Sequence, residues 1–291
     1  MRRQRGKEIN QSGFCRNSPC QHAGCRYRSG GAPILAPTVG SFLVAHASWR
    51  LIFWLLAALA ALTLVAIGLG LRETLPAERR NPAAVRWAFR TYGALLRDRT
   101  FVGYALTAGL VLAAMFAYIT GSPFVFTQLY GLSTQHYGLL FGLNASGLIA
   151  AAQLNNWLLR RFSFPQILRG VTLVVLLAGL ALLGLVYTGW GGLYGLEGPV
   201  FVVVSCVGFA SPNATAGALQ RHAQHASSAA ALLGTLTYSC GALAALTVSA
   251  LADGTARPMA AVIAACGVAA CGLYRRLVGQ QLEAAESGAT G

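Results

Sequence analysis

Residues 51–71 read LIFWLLAALAALTLVAIGLGL, a run without a charged side chain closed on either side by Arg50 and Arg72. At about 1.5 Å rise per residue such a run makes a helix of roughly 30 Å, the thickness of a bilayer's hydrocarbon core. Working outward, comparable runs recur at 101–120, 137–159, 167–188, 198–219, 225–251 and 258–274. Upstream, 33–47 is apolar but yields only about 22 Å of helix, too little to cross a bilayer unaided. Composition agrees: 55% of residues are hydrophobic and 10% are charged, against roughly 25% charged in soluble domains. A water-soluble fold is excluded, and the reading is an all-α integral membrane bundle of about eight transmembrane helices. The net charge of +14 is basic enough for a nucleic-acid protein, but the chain is too apolar for one, so no nucleic-acid partner is expected. Residues 1–30 lack the apolar core of a cleavable signal, so the first hydrophobic segments must themselves direct insertion into the lipid bilayer.

Arginine placement orients the bundle, because basic residues in short loops stay cytoplasmic. Placing the loop after Leu71 inside puts Arg72, Arg79, Arg80, Arg86, Arg90, Arg97, Arg99, Arg160, Arg161, Arg169, Arg221, Arg275 and Arg276 on one side and leaves Arg50 and Arg257 on the other. Thirteen against two sets the orientation, with a cytoplasmic C-terminus. Within 72–100, Ala84, Ala88, Tyr92 and Leu95 recur at helical spacing, as an interfacial helix requires; a solvated arginine-rich linker is the alternative.

An ordered series of short motifs follows. It runs through Ala32–Gly40 (APILAPTVG), Ser48–Trp54 (SWRLIFW), Arg72–Arg80 (RETLPAERR), Ala117–Val125 (AYITGSPFV) and Phe141–Ala145 (FGLNA). It continues with Ser211–Ala214 (SPNA), Ser228–Gly234 (SAAALLG) and Asp253–Thr255 (DGT). Taken in this order the series resembles the Bcr/CflA drug-resistance transporters of the major facilitator superfamily, bacterial drug:proton antiporters. The resemblance implies twelve ancestral helices in two halves of six, of which this chain matches helices five to twelve. It divides the chain into a remnant of the N-terminal half (31–71), a cytoplasmic central loop (72–100), a six-helix C-terminal half (101–276) and a cytoplasmic tail (277–291). It also implies a small hydrophobic drug-like substrate and protons as partners, and an N-terminal half that this chain carries only in part. The family's first-helix acidic residue has no match here, and Glu197 and Asp253 lie at the edges of the apolar runs. On this reading the chain alone is not expected to perform proton-driven efflux. A non-transporting membrane protein, structural or channel-like, or an inactive gene fragment, is the alternative.

The first thirty residues differ from the rest, with seven Arg or Lys and with Cys15, Cys20 and Cys25. The C-x4-C-x4-C spacing is not that of zinc modules, and no metal site or cofactor is expected. Read one base later, codons for Gln21 to Gly30 permit Ser-Met-Leu-Val-Val-Gly-Ile-Ala-Pro, an apolar run that joins the segment at Pro33. This points to a frameshift or a misassigned start; a basic cytoplasmic tail is the alternative. The cysteines at 206, 240, 266 and 271 sit in apolar runs as small hydrophobes.

Proline, glycine and polar side chains at mid-depth are the features an ordinary span does not need. Pro33, Pro37 and Gly40 resemble the family's fifth-helix antiporter motif, with Ala36 and Ser41 where that motif has glycines, and are read as a helix bend. Pro123 and Pro212 are further bend candidates. Tyr118, Ser122, Phe124, Asn144 and Asn213 are the candidate substrate-path residues, since aromatic walls with a few polar groups suit flat, greasy solutes. Asn144 and Asn155 lie eleven residues apart, three helical turns, and so share a face. The small residues 227–231 with Gly234 are read as a close-packing face. The histidines at 46, 136, 222 and 225 join no serine or carboxylate at a catalytic spacing, so no enzyme is expected.

Overall fold

The computed structural model describes residues 50–70, 84–220, 222 and 225–279. Eight helices occur among them: α1 (Arg50–Gly70), α2 (Ala84–Arg97), α3 (Arg99–Pro123), α4 (Thr134–Leu158), α5 (Phe164–Thr188), α6 (Gly192–Gln220), α7 (Ala226–Ala250) and α8 (Arg257–Tyr274). Wider π-helical turns extend α3 over Phe124–Leu129 and α8 over Arg275–Gly279. All except α2 are long and apolar enough to cross a membrane. The short segment 33–47, with Pro33, Pro37 and Gly40, and the segment 1–30 lie outside the described residues, as does most of the loop after Leu71.

Local sequence explains where the helices begin and end. Asp98 caps α3 by accepting from the Thr100 amide at 2.9 Å. Ser133 caps α4, accepting from the His136 amide, and Ser163 with Gln166 forms a reciprocal capping box ahead of Pro165 at the start of α5. Gly189 ends α5 at φ 67°, in the left-handed region where a side chain is strained. The 72–100 segment is partly helical: α2 buries Thr91 and Leu95 against the bundle. The helix agrees with the helical spacing read from sequence, with Leu95 of that series buried.

α3, α6, α5 and α8 form a ring in which each helix packs on the next, while α7 lies against α3 and α4 against α6. Two stacked clusters fill the ring. The lower contains Phe101, Tyr104, Leu168, Val175 and Tyr274, and the upper contains Tyr118, Phe126, Leu196, Val203 and Ile263. α1 buries none of its residues.

Water gives no hydrophobic drive between helices within lipid, so close backbone approach carries much of the packing. Two glycines allow it where α4 meets α6. A Cβ on Gly208 would strike the Leu148 carbonyl oxygen and come within 3.0 Å of the Ala151 methyl, and one on Gly147 would meet the Phe201 ring. The close-packing face assigned from sequence to α7 is displaced. Of 227–231 only Ala229 is buried, and open space surrounds Gly234. The close approach occurs a turn or more later, at Gly241 against Phe116 and at Cys240 against Gly109.

At one end of the bundle, Asp98 Oδ2 and His222 Nε2 lie 2.8 Å apart, and the His222 ring meets Phe101 edge-on. This pair ties the α2–α3 elbow to the segment after α6. Burial pushes the Asp98 carboxyl up, but the hydrogen bonds from His222 and from the Thr100 and Phe101 amides outweigh it, leaving the group below its ordinary value of 3.8. A depressed acid stabilises the fold above its unfolded pKa of about 3.9 and loses that contribution as pH falls through the folded value. Asp98→Asn should therefore cost about 1 kcal/mol in thermal unfolding at neutral pH, with the difference from the parent closing below about pH 4.

Candidate functional site

The upper part of the bundle holds a polar cluster built from three helices. Asn144, in the third turn of α4, donates through Nδ2 to Glu197 Oε1 at 2.7 Å and to the Tyr118 hydroxyl at 3.0 Å. Glu197 comes from the second turn of α6 and Tyr118 from the last third of α3. All three are closed off, with Tyr118 1%, Asn144 2% and Glu197 6% exposed. A second pair adjoins them: Ser122, one turn after Tyr118, shares a 3.0 Å hydrogen bond with the Tyr137 hydroxyl. Phe141 stacks on Tyr118 with the rings 6.2 Å apart, and also touches Tyr137, which meets Phe126. Polar oxygens thus sit inside an aromatic wall, a combination that can orient a flat apolar solute or hold a proton.

The cluster leaves acceptors over. Asn144 Oδ1 and Glu197 Oε2 are buried without a hydrogen-bond partner among the described residues. Asn144 therefore bridges the site through its donor end alone.

Pro123 sits at the change from α-helix to the π-helical turn. It lacks the N–H that would continue the ladder, and Thr127 Oγ1 hydrogen-bonds to its carbonyl at 2.6 Å. The wider turn follows directly on Ser122 and brings Phe126 into the core.

The sequence-derived candidates divide by position. Tyr118, Ser122 and Asn144 fall in this cluster. Phe124 does not: it is 43% exposed and borders a cavity of about 260 Å³ between α3 and the α7–α8 connection, with Thr120, Thr255 and Met259. Asn213 lies further along α6, donating to Asn155 Oδ1 at 2.6 Å and to the Phe209 carbonyl at 2.8 Å. The shared face of Asn144 and Asn155 is thus the face α4 turns to α6, with each asparagine making its own polar contact. Pro212 is accommodated inside α6.

Glu197 is the main departure from the sequence reading, which began the apolar run at Gly198 and left the carboxylate at an edge. α6 instead begins at Gly192 and carries Glu197 inside the bundle. Its signal was the length of apolar sequence on both sides, which a rule stopping a span at any charge discards. Tyr137, Phe126 and Phe141 were also missed as neighbours of the site, because aromatic residues in an apolar run carry no mark of what they face. Asp253 is exposed and caps a turn, its carboxylate accepting from Thr255 Oγ1 at 2.6 Å. Among the described residues no three His, Cys, Asp or Glu side chains converge to hold a metal ion, and Cys206, Cys240, Cys266 and Cys271 are unbridged.

The sequence profile of the Major Facilitator Superfamily matches residues 29–246. The chain belongs to this superfamily. The major facilitator superfamily is one of multi-pass membrane transporters, in keeping with seven membrane-length helices among the described residues. The chain is 33% identical over 259 residues to an uncharacterized MFS-type transporter, YdgK, of Bacillus subtilis, covering 86% of this chain and 63% of that protein. It is 27% identical over 260 residues to a bicyclomycin resistance protein homolog of Haemophilus influenzae, covering 87% and 63%. Over 144 residues it is 31% identical to the multidrug transporter MdfA of Yersinia pestis, covering 47% and 34%. These similarities agree with the Bcr/CflA resemblance read from the motifs. The chain spans about 63% of the length of the first two relatives.

Proposed function

We propose that the chain supplies the six-helix C-terminal half of a proton-coupled exporter of small hydrophobic compounds. The observation that carries this reading is the buried cluster of Tyr118, Asn144 and Glu197 where α3, α4 and α6 meet, in a chain of transporter ancestry. The words bicyclomycin resistance and multidrug in the names of two relatives support the substrate class. In this superfamily's manner of working, one half rocks against the other around a site between them. Here 101–276 is the whole half, 72–100 the cytoplasmic link and 31–71 part of the other half. The N-terminal half is then the natural partner. The site lies in the outer part of the bacterial inner membrane, with the arginine-rich end and the C-terminus cytoplasmic.

The functional test is expression in an efflux-deficient bacterium of the chain and of a version extended by upstream genomic sequence in the frame that continues the apolar segment at Pro33. The extended version should raise tolerance to lipophilic dyes, and a protonophore should abolish the gain. No gain with either version would overturn the proposal. A protonophore-sensitive gain with the 291-residue chain alone would support export and overturn the expectation that further helices are needed.

Orientation has its own test. Single cysteines at Arg161 and Arg80, in a background without the native cysteines, should resist an impermeant thiol reagent, whereas cysteines at Trp190 and Asp253 should react from outside. Strong external labelling at position 161 would reverse the arrangement.

A further inference from the structure

We infer that Glu197 is a proton-binding group of the C-terminal bundle, held as the neutral acid by its burial away from any cation among the described residues. The inference deepens the proposed proton coupling and rests on that reading only for its purpose, not for its chemistry. Glu197 is buried within α6, and the hydrogen bond that reaches it comes from a neutral amide at 2.7 Å. Among the described residues no cation lies beside an ionised carboxylate in that position to offset the loss of its hydration, which costs several kcal/mol in an apolar interior.

Titratable groups on the surrounding elements supply no offset. Among the described residues, Tyr118 on α3 and Tyr137 on α4 are the titratable neighbours, both neutral phenols at ordinary pH, while His136, at the exposed start of α4, shares a 2.7 Å hydrogen bond with Ser133. On α5, which packs along α6, Arg169 lies at the opposite end and Tyr187 is exposed, with the Arg257 guanidinium over its ring. On α7, against α3, Tyr238 points outward.

The unpaired atoms identify the occupant. Glu197 Oε2 and Asn144 Oδ1 are both acceptors, and both lack a donor among the described residues. A proton on Glu197 removes the charge and turns its bare oxygen into a donor. The amide and the carboxyl are already joined through Nδ2 and Oε1, so an acid–amide pair uses the donors and acceptors of both groups. A metal ion fits less well, because hard cations want about six or more oxygens and this cluster offers three with capacity to spare. The proton also suits the closure of the site: it needs no cavity, and its three polar residues are almost completely covered. Nearby, a groove of about 450 Å³ between the first turns of α4 and α6 is lined by Ser133, His136, Leu143 and Tyr194, which puts water-accessible polar groups about two to three turns from Asn144 along α4. Binding is simple addition, with carboxylate and proton giving the acid, and release returns the proton to water.

Infrared spectra of the purified full chain in detergent at neutral pH test this. The parent should show the carbonyl-stretch band of a protonated carboxylic acid, shifted on transfer to heavy water. Glu197→Gln should lose that band completely, and Glu197→Asp, which keeps the acid should the glutamine variant fail to fold, should retain it at a displaced frequency. Absence of the band from the folded parent, or its persistence in Glu197→Gln, would overturn the inference. So would its loss when sodium replaces choline in the buffer, which would assign the site to a metal ion. The spectra require no transport, so a band in the purified chain together with no export by either the chain or its extended version refutes the functional proposal and leaves this one standing.

Discussion

Gly208→Leu should unfold the contact between α4 and α6 and lower stability by about 3 kcal/mol or more. Two effects oppose each other at this position. Leucine favours a helix over glycine by roughly 0.5–1 kcal/mol, and it adds apolar surface where lipid is the solvent. Against that, even the first added carbon meets the Leu148 carbonyl oxygen, a backbone atom that cannot turn aside, and the Ala151 methyl at 3.0 Å. Relief demands that the helices part along their length, taking with them the Asn144–Glu197 and Asn155–Asn213 contacts. Sterics therefore win. Gly184 in α5 is the control, since nothing lies within 4 Å of a Cβ there, and Gly184→Leu should be neutral or mildly stabilising. Thermal unfolding in detergent, with size-exclusion profiles, compares the two. Equal stability of Gly208→Leu and the parent would mean the helices do not meet as described.

The second large effect is expected from Asn144→Leu, which keeps the approximate shape and removes one donor that serves two acceptors. Glu197 Oε1 and the Tyr118 hydroxyl both lose that contact. An unsatisfied buried group costs about 1–3 kcal/mol, although inter-helix hydrogen bonds in membranes average only about 0.6 kcal/mol, so a loss of about 2 kcal/mol is the expectation for the two bonds together. The distinguishing sign is non-additivity. Asn144→Leu combined with Glu197→Leu replaces both partners by apolar groups and should be more stable than the sum of the single changes predicts. Strict additivity in that double-mutant cycle would argue that the two side chains do not pair.

The membrane architecture was legible because its signals are local. Apolar runs of about 20 residues and the arginines placed between them each act within a few positions. The α3 span runs longer than its apolar run because Asp98 caps it early and Pro123 opens a π-helical continuation in place of a stop. Site legibility was partial for a physical reason. Asparagine in a lipid-facing position is costly, so Asn144 announces itself from sequence, and its eleven-residue spacing to Asn155 fixes a common face. What Asn144 touches depends on the register between α4 and α6, which is set by Gly147 and Gly208, and on α3 arriving with Tyr118 toward them. No spacing within one helix carries that information. Glu197 was misplaced because a carboxylate was treated as the end of a span, whereas a 29-residue helix has length to bury it. Phe124 was grouped with Tyr118 by proximity in sequence, but six positions along a helix end the two project differently, one into the core and one toward the surface.

Export by Tyr118→Phe most directly tests whether the cluster of α3, α4 and α6 lies on the transport route. The substitution removes one oxygen and keeps the ring that stacks on Phe141, so folding should be little affected. Protonophore-sensitive dye export is to be measured in cells producing the frame-extended chain, with parent and variant at equal membrane abundance. Loss of one hydrogen bond of about 1 kcal/mol predicts a rate about fivefold lower in the variant. An unchanged rate in a variant of parental stability would contradict the assignment of this cluster as the functional site.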